Sequence, residues 1–147
     1  MSASQRKRIV VGVDGSPSSV QALKWAFGQA ILTGSDIGAV CAWHYPSTFV
    51  MAIPDGADYQ ALAEETLAKA IAEALTADHG YAAVPVHPIV VHAQPARALL
   101  DQAADASLLV VGFRGHGGLS EALLGSVSQH VAHHAPCPVV IIRDGVA

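Results

Sequence analysis

Charge is scarce in this chain. Asp, Glu, Lys and Arg together make up 14% of 147 residues, well below the usual share of about a quarter. Only eight of those residues are basic, and the formal charge is −4. That argues against a broad nucleic-acid surface, which needs a basic face to meet phosphate. Three of the basic residues, Arg6, Lys7 and Arg8, stand together before the first apolar run, where the simplest reading is a solvated lead-in. Cysteine is limited to Cys41 and Cys137, each within or beside an apolar run. Buried free thiols are expected there, and a disulfide framework is not. No apolar run approaches the roughly 20 residues of a membrane-spanning helix, and the polar start has no apolar signal segment. The expectation is a soluble, cytoplasmic protein with no membrane or nucleic-acid partner. Hydrophobic residues reach 52%, which can build one sizeable core, and residues 1–147 read as a single domain.

Apolar runs alternate with helical patterns. Arg8–Val13 reads as the first strand. Ser16 is a suitable N-cap and Pro17 a suitable first helical residue. Val20, Leu23, Phe27, Ala30 and Ile31 then recur at helical spacing until Gly34. Ile37–Trp43 is a second strand, and His44–Asp58 is a loop punctuated by proline and glycine. Ala63, Leu67, Ala70, Ile71, Ala74 and Leu75 share one face of a long helix, which Asp78-His79-Gly80 is expected to end as a C-cap. Val84–His92 is a third strand, pushed toward a sheet edge by Pro85 and Pro88. Pro95 starts a third helix, Ser107–Gly112 forms a fourth strand, a last helix ends near His134, and Val139–Ile142 closes the pattern. Strand–helix alternation with runs buried on both sides predicts an α/β fold, a parallel sheet covered by helices on both faces.

In such sheets ligands bind at the carboxyl ends of the strands, where strand order reverses. Two ends look specialised: Gly12-Val13-Asp14-Gly15-Ser16, and Gly112 with the glycine-rich stretch after it. Gly112 and Gly115, then nine residues, then Gly125-Ser126, offer bare main chain that can approach a ligand closely and take up positive φ. A Gly-Ser step opening a helix adds free amides and the positive end of the helix dipole. These features suit nucleotide phosphates. Asp14 has two readings, a turn aspartate capping the first helix or an acceptor for a ribose hydroxyl or base amino group.

The spacing glycine, two residues, glycine, nine residues, glycine, then Ser or Thr resembles the nucleotide-binding signature of the universal stress protein family. Val10-Val-Gly-Val-Asp14-Gly-Ser16 resembles that family's first strand and turn. Leu124-Gly-Ser-Val-Ser128 followed by Cys137-Pro-Val-Val-Ile-Ile142 resembles its carboxyl end. The resemblance implies an open five-stranded parallel sheet of order 3-2-1-4-5 of the adenine nucleotide alpha hydrolase-like kind, with ATP and Mg²⁺ at the switch point. It places Gly12, Val13 and Asp14 by the adenine and ribose, and Ala42 at the base edge. It places Val111, Gly112, Arg114 and Gly115 along ribose and phosphates, and Gly125, Ser126, Val127 and Ser128 at the phosphate tail. It also implies a stress-response sensor or regulator, with a homodimer through strand five, Val139–Ile142. A nucleotide-free scaffold, a slow ATPase and a cyclic AMP binder are the alternatives.

The motif is not a Walker A loop, because no lysine follows the glycines. Phosphate charge would be balanced by amides, hydroxyls, Arg114 and Mg²⁺. No general base can be nominated, so no residue is assigned as catalytic, and at most slow hydrolysis is expected. One departure is Ala93-Gln94-Pro95, where the family often has Gly-x-Pro or Gly-x-Ala; the added methyl either sits at negative φ or narrows the cleft. His116-Gly117-Gly118 only faintly resembles an esterase oxyanion loop, and the Gly-x-Ser-x-Gly elbow of that fold is missing. His130, His133 and His134 lie on the last helix, where they suit either its carboxyl end or a transition metal; no metal ligand is assigned. His44, His79, His87 and His92 read as surface residues. Phe49, Val50, Met51 and Ile53 form an apolar cluster that could serve as lid, partner contact or sheet-edge cover.

Overall fold

A computed structural model describes residues 6–44, 58–114 and 124–143. Five strands, β1 (Arg8–Gly12), β2 (Asp36–Trp43), β3 (Val86–His92), β4 (Leu108–Gly112) and β5 (Val139–Ile142), alternate with four helices. The helices are α1 (Pro17–Thr33), α2 (Tyr59–Leu75), α3 (Pro95–Gln102) and α4 (Ser126–His134). The sheet is parallel throughout, as the strand–helix alternation predicts, and its order is β3-β2-β1-β4-β5, as the resemblance implies. β1 pairs with β2 on one side and β4 on the other. The direction of strand addition therefore reverses between β1 and β4, which opens a crevice at their carboxyl ends.

Strand alternation divides the core in two. On one face Ile9, Val11, Ile37, Ala39 and Cys41 pack against Leu23, Phe27 and Ala30 of α1 and Leu67 and Ala70 of α2. On the other, Val10, Val40, Leu109 and Val111 meet Ala98 and Leu99 of α3 and Val131 of α4. The predicted stripe of α2 holds: Ala63, Leu67, Ala70 and Ala74 are buried, and Ile71 and Leu75 pack half-buried beside them. α1 starts as expected, with Ser16 accepting from the Ser19 amide and Pro17 in the first turn, and it stops at Gly34 with φ 69°.

Three local expectations need correction. Asp78-His79-Gly80 does not cap α2, which ends at Leu75 with Thr76 as its C-cap. The Asp78 carboxylate instead takes the Gly80 amide at 2.7 Å and opens a 3₁₀ turn over His79–Ala83. Aspartate closes a turn on its own backbone as readily as it flanks a helix end, and this one serves the connection to β3. Cys137 is only half-buried, because it sits in the turn into an edge strand; Cys41 is buried, and both are free thiols. Arg6 and Arg8 are more than a solvated lead-in. Arg6 pairs with Asp36 and reaches the Ser35 carbonyl, and Arg8 reaches Gln102.

His87 approaches the other Asp36 oxygen at 3.3 Å, so one carboxylate ties the amino ends of β1, β2 and β3. Partial burial pushes the Asp36 carboxyl up, but Arg6 and His87 outweigh it and hold the group below its ordinary 3.8. A depressed carboxyl stabilises the fold above its unfolded value and loses that contribution as pH falls through the folded one. Asp36→Asn should therefore unfold at lower urea concentration than wild type at neutral pH. The difference should close as pH falls below 3.8; a gap that persists in acid would contradict this.

Candidate functional site

The turn after β1 is built from its own polar groups. The Val13 amide donates to the Val40 carbonyl at 2.8 Å, which carries the β1–β2 ladder one residue past the strand. The Asp14 carboxylate accepts the Ser16 amide at 2.9 Å, and Gly15 takes φ 84° between them. Asp14 is thus a turn aspartate, although the helix cap itself is Ser16. The Ser16 hydroxyl accepts from the Ser19 amide, and the Ser19 hydroxyl donates to the Ser16 carbonyl while accepting from the Asp14 amide. The amino end of α1 is thus capped by its own chain.

β4 ends against that same turn. A Cβ on Gly112 would stand 2.8 Å from the Ser18 carbonyl carbon of α1. Gly112 is therefore glycine because a helix backbone lies on it. Positive φ is not the reason: among the described residues only Gly15 and Gly34 adopt it, and Gly125 has φ −61°. The Arg114 amide makes a long hydrogen bond, 3.4 Å, to the Ser18 hydroxyl. Phe113 donates to Ile142 of β5 at 2.7 Å and accepts from the Gly125 amide at 2.9 Å, which delivers the start of α4 to the tip of β4. The buried Ser128 hydroxyl then donates to the Gly112 carbonyl.

α4 differs from α1 at its amino end. Its N-cap, Gly125, offers no side chain, and the first amide to bond back is that of Gln129. The preceding amides, on Ser126, Val127 and Ser128, lack a capping side chain, and all three residues line a cleft of about 180 Å³. Uncapped helix amides carry the positive end of the helix dipole.

The cleft gathers Gly12, Val13, Asp14, Ala42, Val111, Gly112, Arg114, Gly125, Ser126, Val127 and Ser128. These are the predicted site residues apart from Gly115, which lies outside the described residues. So do His116-Gly117-Gly118 and the cluster of Phe49, Val50, Met51 and Ile53. Ser19, Val40, Pro95 and Leu99 also line the cleft and were missed from sequence. Val40 and Leu99 read as core, which they also are; Pro95 read as a helix start. Ala93 keeps negative φ, donates to the Trp43 carbonyl at 3.0 Å and packs its methyl into the α3/α4 core. The departure from glycine is accommodated there, and Ala93 is not among the lining residues.

The cleft is apolar at its floor and polar at its rim. Val40, Val111 and Leu99 form the floor, with one carboxylate (Asp14) and one guanidinium (Arg114) above it. Cys41 sits below and takes no part: burial, then the nearby Asp14 charge, push its thiol up to about 11, which keeps it protonated and unreactive. The arrangement can hold a flat apolar group against the floor and an anion at the α4 amides.

The model of the universal stress protein family matches residues 5–143. A universal stress protein of Mycobacterium tuberculosis is 41% identical over 141 residues, covering 95% of this chain and 46% of that protein. The chain thus spans about half the length of the curated relatives it matches. Among solved structures, a universal stress protein in complex with cAMP is 28% identical with a TM-score of 0.70, covering 94% of this chain and 97% of that one. The fold also matches a universal stress protein of Archaeoglobus fulgidus in complex with dAMP, at TM-score 0.68 and 23% identity, over 93% of this chain and 98% of that one.

The contact at Gly112 can be tested against a second glycine. Gly112→Ala should cost about 1–3 kcal/mol through overpacking on Ser18. Gly28→Ala, inside α1, meets only the Tyr81 hydroxyl at 3.6 Å and should gain about 0.5–1 kcal/mol from helix propensity. Urea unfolding measures both, and equal stability of the two variants would refute the close-contact account.

Proposed function

The chain belongs to the universal stress protein family, and from that premise we propose that its switch-point cleft binds an adenine nucleotide, ATP with Mg²⁺, as a sensor or regulator. The observation carrying this reading is the convergence of the β1, β2 and β4 tips on the uncapped amino end of α4. The adenine lies on the floor of Val40, Val111 and Leu99, with the backbone at Ala42 along its edge. Asp14, held by the Ser16 amide, presents its carboxylate to the ribose. The α4 amides, the exposed Ser126 hydroxyl and Arg114 take the phosphates.

Charge balance favours holding the nucleotide over cleaving it. The described lining supplies one cation, Arg114, so a triphosphate needs help from a metal. Among the described residues no three His, Cys, Asp or Glu converge on a metal position. Mg²⁺ would therefore arrive on the phosphates, largely hydrated, because the one described lining carboxylate, Asp14, is turned to the ribose. The solved relative bound to cAMP favours a second reading, a cyclic monophosphate whose lower charge the single guanidinium could match.

The same reading makes the protein cytoplasmic and a homodimer. β5 is a sheet edge, all four of its residues are half-buried, and an apolar edge strand favours pairing with a second copy. Among the described residues no helix is long and apolar enough to cross a membrane.

Mass spectrometry of nucleotides released from the purified protein, followed by calorimetric titration with ATP, AMP and cAMP, identifies the ligand. Arg114→Ala should weaken ATP by about tenfold, the scale of one lost charged hydrogen bond, while leaving adenosine unaffected. Gly125→Val should weaken every phosphate-bearing ligand. ATP affinity that survives both substitutions would place the phosphates elsewhere.

A further inference from the structure

The carboxyl end of α4 holds a second cluster that the nucleotide reading does not use. His130 and His134 stand one helical turn apart and both are exposed. Their rings lie side by side with centroids 4.6 Å apart and planes tilted by 42°. Among the described residues neither ring has a hydrogen-bond partner or an ion pair. His133 stands apart, with its ring 6.3 Å from that of His134.

We propose that His130 and His134 form a two-histidine site for a divalent transition metal. Imidazole nitrogens bind such ions at about 2.0–2.1 Å, so one ion spans donors up to roughly 4 Å apart. Rings one turn apart on a helix with centroids 4.6 Å apart can turn a nitrogen each toward one ion, as in other paired helical histidine sites. The last turn of a helix carries the negative end of its dipole, which favours a cation there. Water completes the shell, because no third His, Cys, Asp or Glu joins the pair among the described residues. Imidazole donors select Cu²⁺, Ni²⁺ and Zn²⁺ over Mg²⁺ and Ca²⁺, and the order of affinity places Cu²⁺ first. The site is thus distinct in chemistry from the phosphate end of the same helix, where a hard cation is expected.

Ligation of positions four apart also clamps the helix between them. α4 has nine residues and no capping side chain at its start, so little of its own sequence stabilises it in isolation. A metal on its last turn stabilises the element whose first turn lines the cleft.

The test uses tag-free protein titrated calorimetrically with CuSO₄, NiCl₂ and ZnCl₂, and frozen for electron paramagnetic resonance with Cu²⁺. One ion per chain should bind, with the nitrogen couplings of two imidazoles. His130→Ala and His134→Ala should each weaken Cu²⁺ by at least about tenfold, the penalty that even an outer-shell partner carries, and His133→Ala should leave it unchanged. Circular dichroism confirms that the exposed substitutions leave the fold intact. Cu²⁺ should raise the melting temperature of wild type and of His133→Ala but not of His130→Ala. Absence of stoichiometric binding, or affinity lost equally in His133→Ala, would overturn the site.

Discussion

The rest of the cleft depends on one close contact, the packing of the Gly112 backbone against Ser18 in the first turn of α1. It brings the tip of β4 to the turn that follows β1. From there the main chain passes Phe113 between Ile142 and Gly125, so β5 and α4 are hung on the same point. Ser128 closes the circuit by returning a hydroxyl to the Gly112 carbonyl. A side chain at Gly112 would wedge β4 from α1 and carry the amino end of α4 with it. The glycine is there to let protein meet protein, and the ligand cradle follows from that approach.

Two helix ends reach the crevice and the sequence treats them oppositely. At α1 the Ser16 hydroxyl caps the Ser19 amide, and Ser19 and Asp14 take the amides of the turn before it. α4 starts at a glycine and leaves its amides uncapped. A glycine N-cap costs a helix only about a few tenths of a kcal/mol against serine, a small loss where an anion can take the place of the missing side chain. The difference between a serine and a glycine at the two N-caps therefore marks which end is scaffold and which is receptor.

The architecture was legible because its signals are local: apolar runs, Ser16-Pro17, and the glycine at position 34. The strand order and the membership of the cleft came from the resemblance carried by Gly112, Gly125 and Ser126. What stayed hidden depends on distance along the chain. Ser18 reads as one more polar residue of a first turn, and its role appears only when Gly112 of β4 lies on it and the Arg114 amide, 96 residues later, reaches its hydroxyl. Arg6 and Arg8 read as lead-in because their partners, Asp36 and Gln102, are 30 and 94 residues away. Val40 and Leu99 line the cleft with the same surface that packs the core, so apolarity alone could not separate the two roles. Asp78 misled for a different reason, since one side-chain bond to a nearby amide serves a 3₁₀ turn and a helix boundary alike.

The residue after Ala42 gives the molecule an internal optical reporter. Trp43 lies flat on His92, with ring centroids 4.0 Å apart and planes within 4°, and its indole nitrogen donates to Gln60 at 2.7 Å. The chain has two tryptophans, and the other, Trp25, is exposed on α1. Indole emission from position 43 thus originates next to the backbone proposed to edge the base, from a ring stacked on a neighbouring imidazole. Events at the crevice mouth are read by a single chromophore, and a Trp25→Phe background isolates it without any added dye.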